Sequence, residues 1–230
     1  MEAQELPVTE ANREERVKKK NEYFTKLQAF LLLFTTLVVC LVGGYYISDK
    51  FLWPDPAEQR LNDKLAYYKD KIEAEPNNPE HRVNLGYTYY LKGDNEDAIK
   101  QLNLAVDLDK KYFGAYFNLG LVYIDEKRFN DALTQAQKAV ELSPKNYKSH
   151  LLAGMVYRHL KMYDEALKSL SEALSLMPTN TDTITEIGRV AEDRKNYSEA
   201  EKLYKEALSY DPLYKPATEG LDRIAAKNKK

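Results

Sequence analysis

The sequence predicts an all-α protein: one apolar helix followed by stacked pairs of helices. Three observations carry this. One uncharged apolar stretch stands near the N-terminus, although the mean hydropathy of the whole chain is −0.61. Glycine, alanine and proline then recur at a fixed step of 34 residues, a period that marks a repeat architecture. Between those marks the apolar residues keep i, i+3, i+4, i+7 spacing, which is one face of a helix. Composition removes other classes. With 43% apolar and 30% charged residues, the 230-residue chain is too rich in core formers to be wholly disordered. Nine glycines and nine prolines exclude a collagen-like or low-complexity chain. A single cysteine, Cys40, excludes an intrachain disulfide framework and a multi-cysteine zinc site. A net charge of −2 gives no bias toward nucleic acid.

Taken in order, residues 1–26 read as a cytoplasmic tail, partly disordered and basic near its end. Leu27 to Ile47 is 21 residues without a charge, bracketed by Lys26 and Asp49. At about 1.5 Å per residue that stretch covers about 30 Å, the thickness of a hydrocarbon core. Tyr23 and Phe24 stand before it and Tyr45, Tyr46 and Trp53 at its other end, where amphipathic rings favour headgroups. The run is longer than a signal-peptide core and no A-x-A site follows, so the expectation is a retained anchor in contact with lipid. Arg13, Arg16, Lys18, Lys19, Lys20 and Lys26 precede it within 15 residues, against Lys50 and Arg60 after it. Positive residues stay inside, so the N-terminus is expected in the cytoplasm and the bulk of the chain on the extracytoplasmic side. Thr36, Cys40 and Gly44, four residues apart, put small side chains on one face. That is a candidate packing surface for a transmembrane partner helix. Residues 48–56, with Pro54 and Pro56, read as a short stiff linker.

The rest repeats. Gly86, Gly120, Gly154 and Gly188 keep the 34-residue step. So do Ala98, Ala132, Ala166 and Ala200, and Ala105, Ala139, Ala173 and Ala207. Pro144, Pro178 and Pro212 follow, with Lys110 in the first slot and Pro76 one step earlier. Four units, 79–112, 113–146, 147–180 and 181–214, fit without insertion. Each reads as two helices. Tyr116, Leu119, Gly120 and Tyr123 mark a first helix, and Ala132, Ala136, Ala139 and Val140 the facing stripe of a second. The proline stops that second helix because it lacks a donor and clashes with the preceding turn. Residues 57–78 supply an N-terminal cap, a second helix without its first (Leu61, Leu65, Tyr68, Ile72). Residues 215–230 supply a closing cap with Ala217, Leu221, Ile224 and Ala225 inward. Thirteen of the 18 tyrosines fall within 79–214, mostly at packing positions beside Gly and Ala.

Tyr116–Leu119–Gly120–Tyr123, Leu85-Gly86 with Tyr89, and Ala200–Tyr204–Ala207–Pro212 resemble the tetratricopeptide repeat family. The third unit departs with His150 and Ala153, and the fourth with Ile184, Ile187 and Ala191. The resemblance implies a right-handed superhelix with a concave groove lined by each unit's first helix. The groove side then carries Val83, Tyr87 and Tyr90; Phe117, Leu121 and Ile124; Leu151, Met155 and Arg158; and, polar, Thr185, Arg189 and Glu192. An apolar groove of this kind fits a peptide or amphipathic helix of a protein partner, or the same stripe packs between units. Some members clamp a C-terminal carboxylate with Lys, Asn, Asn, Lys and Arg. The matching sites here are Val83, Tyr87, Asn118, Lys148 and Leu152, and only Asn118 and Lys148 agree.

Nothing in the sequence nominates an enzyme, a cofactor or a metal. HExxH, GxSxG, P-loop and GxGxxG patterns are absent. His150 and His159 are nine residues apart, off one helix face. The expected function is a membrane-anchored scaffold that binds a protein partner during assembly of an envelope or membrane complex. Two other readings stand beside it: a permanent structural subunit of such a complex, and a cytosol-facing receptor. The sequon Asn196-Tyr197-Ser198 matters only in a secretory compartment.

Overall fold

The computed structural model describes residues 26–48 and 55–228. The basic tail, Tyr23, Phe24, most of the linker with Trp53, and the terminal lysines lie outside the described residues. The chain divides into two units, 1–56 and 57–230. In the first, α1 runs Lys26–Ile47, long and apolar enough to cross a membrane. Thr36 donates its hydroxyl to the carbonyls of Leu32 (3.0 Å) and Leu33 (2.9 Å), and Thr35 to Leu32 (2.9 Å). Both hydroxyls are thus satisfied within the helix, as an apolar solvent demands.

The second unit is helical throughout its described secondary structure. After α2 (Pro56–Ala74) come α3 (Pro79–Lys92) with α4 (Asn95–Leu108), and α5 (Phe113–Asp125) with α6 (Phe129–Leu142). Then follow α7 (Tyr147–His159) with α8 (Tyr163–Leu176), α9 (Thr181–Asp193) with α10 (Tyr197–Tyr210), and α11 (Lys215–Asn228). From α3 to α10 each helix contacts its pair-mate and the first helix that follows the pair, and apolar clusters succeed one another along the stack.

Small residues set the pairing distance. Ala98, Ala132, Ala166 and Ala200, and Ala105, Ala139, Ala173 and Ala207, are all 0% exposed. Opposite them sit the repeat glycines. A methyl built on Gly86 would lie 2.8 Å from Leu102 Cγ, on Gly154 2.5 Å from Leu170 Cγ, and on Gly188 2.7 Å from the Tyr204 ring. Repeat two does the same with a different donor. Its equivalent of Leu102 is the small Ala136, and Leu152 of the next repeat reaches over Gly120 instead, 2.6 Å from the methyl site. Tyr204 is held on both sides, since a methyl on Gly220 of α11 would also meet its ring at 2.5 Å.

The turns are equally regular. The first helix of every pair ends on a left-handed residue: Gly93 (φ 86°), Lys127 (60°), Lys161 (61°) and Lys195 (62°). Its N–H and that of the next residue close back on the helix, as in Lys127→Ile124 O (2.9 Å) and Arg128→Tyr123 O (2.8 Å). This is the 5→2 and 6→1 pair of a Schellman closure. At the opposite end Asn78, Asn146 and Asn180 accept from Glu80 N–H (3.0 Å), Lys148 N–H (3.1 Å) and Thr183 N–H (2.8 Å), capping α3, α7 and α9.

The pairings also explain His150. Tyr116 donates to Lys110 O at 2.9 Å, and His150 Nε2 bonds Pro144 O at 2.7 Å, the same two repeat positions one step on. A carbonyl only accepts, so Nε2 carries the proton. His150 substitutes for the repeat tyrosine and has a structural role.

Two tests follow from this packing. Gly154→Ala forces its methyl onto Leu170 and should destabilise the second unit by about 1–3 kcal/mol. The double variant with Leu170→Ala should lose less than the sum of the singles in urea unfolding, since the two share one space. Replacing Lys127, Lys161 or Lys195 by glycine should raise stability by up to about 1 kcal/mol each, while Gly93→Ala lowers it by a similar amount. Melting of the four variants followed by circular dichroism reads this directly.

Candidate partner-binding groove

The predicted groove residues sit on α3, α5 and α7, and the structure sorts them into three kinds. Tyr87 is 39% exposed, its ring 6.1 Å from that of Tyr90. Phe117, Leu121 and Met155 are half-buried, resting on the core, with Phe117 also 5.8 Å from Phe113. These offer apolar surface. Tyr90 is half-buried too, and its hydroxyl donates to Asp125 Oδ2 at 2.7 Å. Burial and then the Asp125 carboxylate push its ionisation well above the usual phenol range, so it stays a neutral donor.

Val83, Ile124 and Leu151 are buried, at 6%, 8% and 7% exposure, and do not present a contact surface. Each lies at a seam covered by the following repeat. Val83 packs under Gly114 of α5, 3.6 Å from its methyl position. Ile124 shares a core with Ala153 and Val156, and Leu151 with Val190.

The groove does not run on into a free polar stretch, as the sequence suggested for Arg158, Thr185, Arg189 and Glu192. Arg158 is spent inside the protein. Its Nε meets Glu186 Oε2 at 3.0 Å and its Nη1 meets Asp193 Oδ2 at 3.2 Å, with only 13% of the side chain exposed. Arg189 also pairs with Glu186, and Thr185 is buried. Glu192, buried on α9, accepts from Tyr204 (2.9 Å), Arg223 (3.1 Å) and Lys227 (3.0 Å). Burial pushes its carboxyl up, but the bonds from Arg223, Lys227 and Tyr204 outweigh this and bring it down to about 2. The apolar stretch therefore ends at a set of ion pairs built from α7, α9 and α11.

That network has a register the sequence reading missed. Tyr90–Asp125, Arg158–Asp193 and Glu192–Lys227 are each 35 residues apart, one more than the period, and each joins successive first helices. The signal was present, because α11 continues the series as a first helix without a second. Reading it only as a polar cap hid Arg223 and Lys227. His159 fills the remaining rung position, opposite Ile124, stacked on Phe129 at 5.0 Å and 11°. Burial and the Arg158 charge lower its basicity.

The carboxylate-clamp sites are not assembled: Val83 and Leu152 are buried, and Asn118 Nδ2 is turned to Gly114 O at 2.8 Å. In α1, Thr36, Cys40 and Gly44 are exposed on one face, and nothing lies within 4 Å of a methyl built on Gly44. Among the described residues no His, Cys, Asp and Glu cluster has the grouping of a metal site.

Glu192 gives the network a pH dependence. Its folded value lies below the unfolded 4.5, so its stabilisation is complete above that value and drains as pH falls toward 2. In Glu192→Gln that part of the acid destabilisation should vanish. At pH 7 the variant should be weaker by about 2 kcal/mol, measured by urea unfolding at a series of pH values.

Family profiles described as TPR repeat and tetratricopeptide repeat match residues 86–126, 113–146 and 158–218. Among solved structures, that of MamA is 28% identical, covering 68% of this chain and 91% of that one, with a TM-score of 0.55. TTC0263, a thermophilic TPR protein in Thermus thermophilus, is 23% identical over 74% and 91%, with a TM-score of 0.65. YrrB, described as a TPR protein with an unusual peptide-binding site, is 21% identical over 72% and 86%, with a TM-score of 0.54. The last two likenesses concern the fold. No curated protein matches the chain. The repeat array is a protein-interaction scaffold, a fold that is typically non-enzymatic. With its glycine–alanine helix pairs and three matching profiles, the chain belongs to the tetratricopeptide repeat family.

Proposed function

We propose that the protein is a membrane-anchored scaffold that holds a peptide or amphipathic helix of a protein partner against the first helices of repeats one to three, in assembly of an envelope or membrane complex. The observation that carries this is the run Tyr87, Phe117, Leu121 and Met155, partly open on successive first helices. It is bounded by the ion pairs of Arg158. Apolar surface that is neither covered by the next repeat nor broken by a free charge is what an apolar peptide face requires. In this reading α1 is the anchor in lipid, residues 1–26 the cytoplasmic tail, and the repeats 79–214 with their caps lie on the extracytoplasmic side. Anchoring raises the local concentration of the scaffold beside membrane-bound partners.

A photo-crosslinking residue at position 121, in native membranes, tests it. Capture should exceed that from position 213, which is 88% exposed and far from the run in sequence. Phe117→Asp and Met155→Asp should each cut capture from position 121 by tenfold or more, the size of a central contact, with helicity kept. Equal yields from positions 121 and 213, or capture that survives both substitutions, would sink the groove. A partner caught at full stoichiometry that never exchanges would point to the structural-subunit reading. Protease protection of the repeats in closed vesicles of known sidedness checks the orientation.

A further inference from the structure

Repeat four departs from its siblings at one place twice. Tyr89, Tyr123 and Tyr157 hold the same register position on α3, α5 and α7, and α9 has Ala191 there. On the facing second helix the position of Gln101, Gln135 and Ser169 is taken by Leu203. Between α8, α9 and α10 the structure has a hollow of about 490 Å³, walled by Leu167, Ile187, Ala191 and Leu203 with Arg194 and Glu199 at its rim. None of these is a groove residue. Ile187, Ala191 and Arg194 lie on the side of α9 opposite Thr185, Arg189 and Glu192, by the 100° step of a helix.

The sibling repeats show what shape fits. In repeat three Tyr157, Glu165 and Ser169, the repeat equivalents of Ala191, Glu199 and Leu203, line a smaller hollow of about 410 Å³. In repeats one and two the corresponding ring also carries a cation over its face. Lys69 Nζ stands 5.8 Å from the Tyr89 centroid, and Arg128 Cζ stands 4.4 Å from that of Tyr123. The hollow of repeat four has a cation of its own, Arg194, at a different repeat position and held by Asp164 at 3.3 Å, and it gains an apolar wall in Leu203. What it lacks is the ring.

We propose that this hollow is a second binding site, which takes one tyrosine side chain presented by a protein partner. The ring seats on Leu167, Ile187 and Leu203, where Tyr89, Tyr123 and Tyr157 seat in their own repeats. Arg194 faces its π surface, and Glu199 accepts from its hydroxyl. The site is independent of the groove on α3, α5 and α7, and its test does not require that groove to bind anything.

The experiment uses the full chain in amphipol with labelled Ile and Leu methyl groups. 4-Methylphenol and the blocked peptide acetyl-Gly-Tyr-Gly-amide are titrated separately. Both should give saturable ring-current shifts at the methyls of Leu167, Ile187 and Leu203, with dissociation constants near the millimolar range expected of so small a ligand. Ala191→Tyr supplies the ring from within and should abolish the shifts. Leu203→Gln restores the polar residue of repeats one and two, and should weaken binding at least threefold even if Ala191→Tyr does not fold. Unshifted methyls in the natural chain, or shifts unchanged in both variants, overturn the site. Binding of 4-methylphenol without the peptide overturns a protein partner in favour of a free phenol.

Discussion

The whole repeat array depends on how closely two helices approach at a glycine. Where Gly86, Gly154 or Gly188 faces its neighbour, there is no room for one more methyl group. The two alanine rows are likewise fully buried. Interiors packed to this density transmit small changes, so the spacing within each pair fixes where the next pair docks. Repeat two shows that the constraint is on volume and not on the residue that fills it. Its second helix offers only Ala136, and Leu152 arrives from the following repeat to occupy the space above Gly120.

Successive pairs are joined by a second kind of contact, polar and offset by one residue from the period. Tyr90 to Asp125, Arg158 to Asp193 and Lys227 to Glu192 tie first helices together at the same register in three of the four steps, the exception being Ile124 and His159 between α5 and α7. These bonds govern the surface as well as the stack. Where the rung is a tyrosine, an apolar face remains open beside it. Where it is arginine or glutamate, the charges are engaged in ion pairs with neighbouring helices. The boundary of the candidate groove is set there, at Arg158, by α9 and α11 together.

Repeat four is where the family pattern gives way. Ala191 and Leu203 replace residues that fill and line the corresponding space elsewhere, while Tyr204, locked between Gly188 and Gly220, keeps the close approach intact. The last pair thus preserves the contact on which stacking relies and gives up one on which it does not.

The helices, their pairing and the positions of the small residues were legible in the sequence, because a 34-residue period of Gly, Ala and Pro has one physical explanation, close packing of short helices. The left-handed turn was legible only in the first repeat, at Gly93, since lysine at positions 127, 161 and 195 gives no local sign of positive φ. The groove was half legible. Helical spacing places Val83, Ile124 and Leu151 beside Tyr87, Phe117 and Leu121, but whether such a residue is open or covered depends on how far the next helix leans over it. The sequence determined the family, the apolar helix and the register of every pair, all of which follow from local periodicity. Only the tertiary structure decided which groove residues are covered, where the charges pair and that a hollow lies beside Ala191, because each depends on a neighbour in an adjacent repeat.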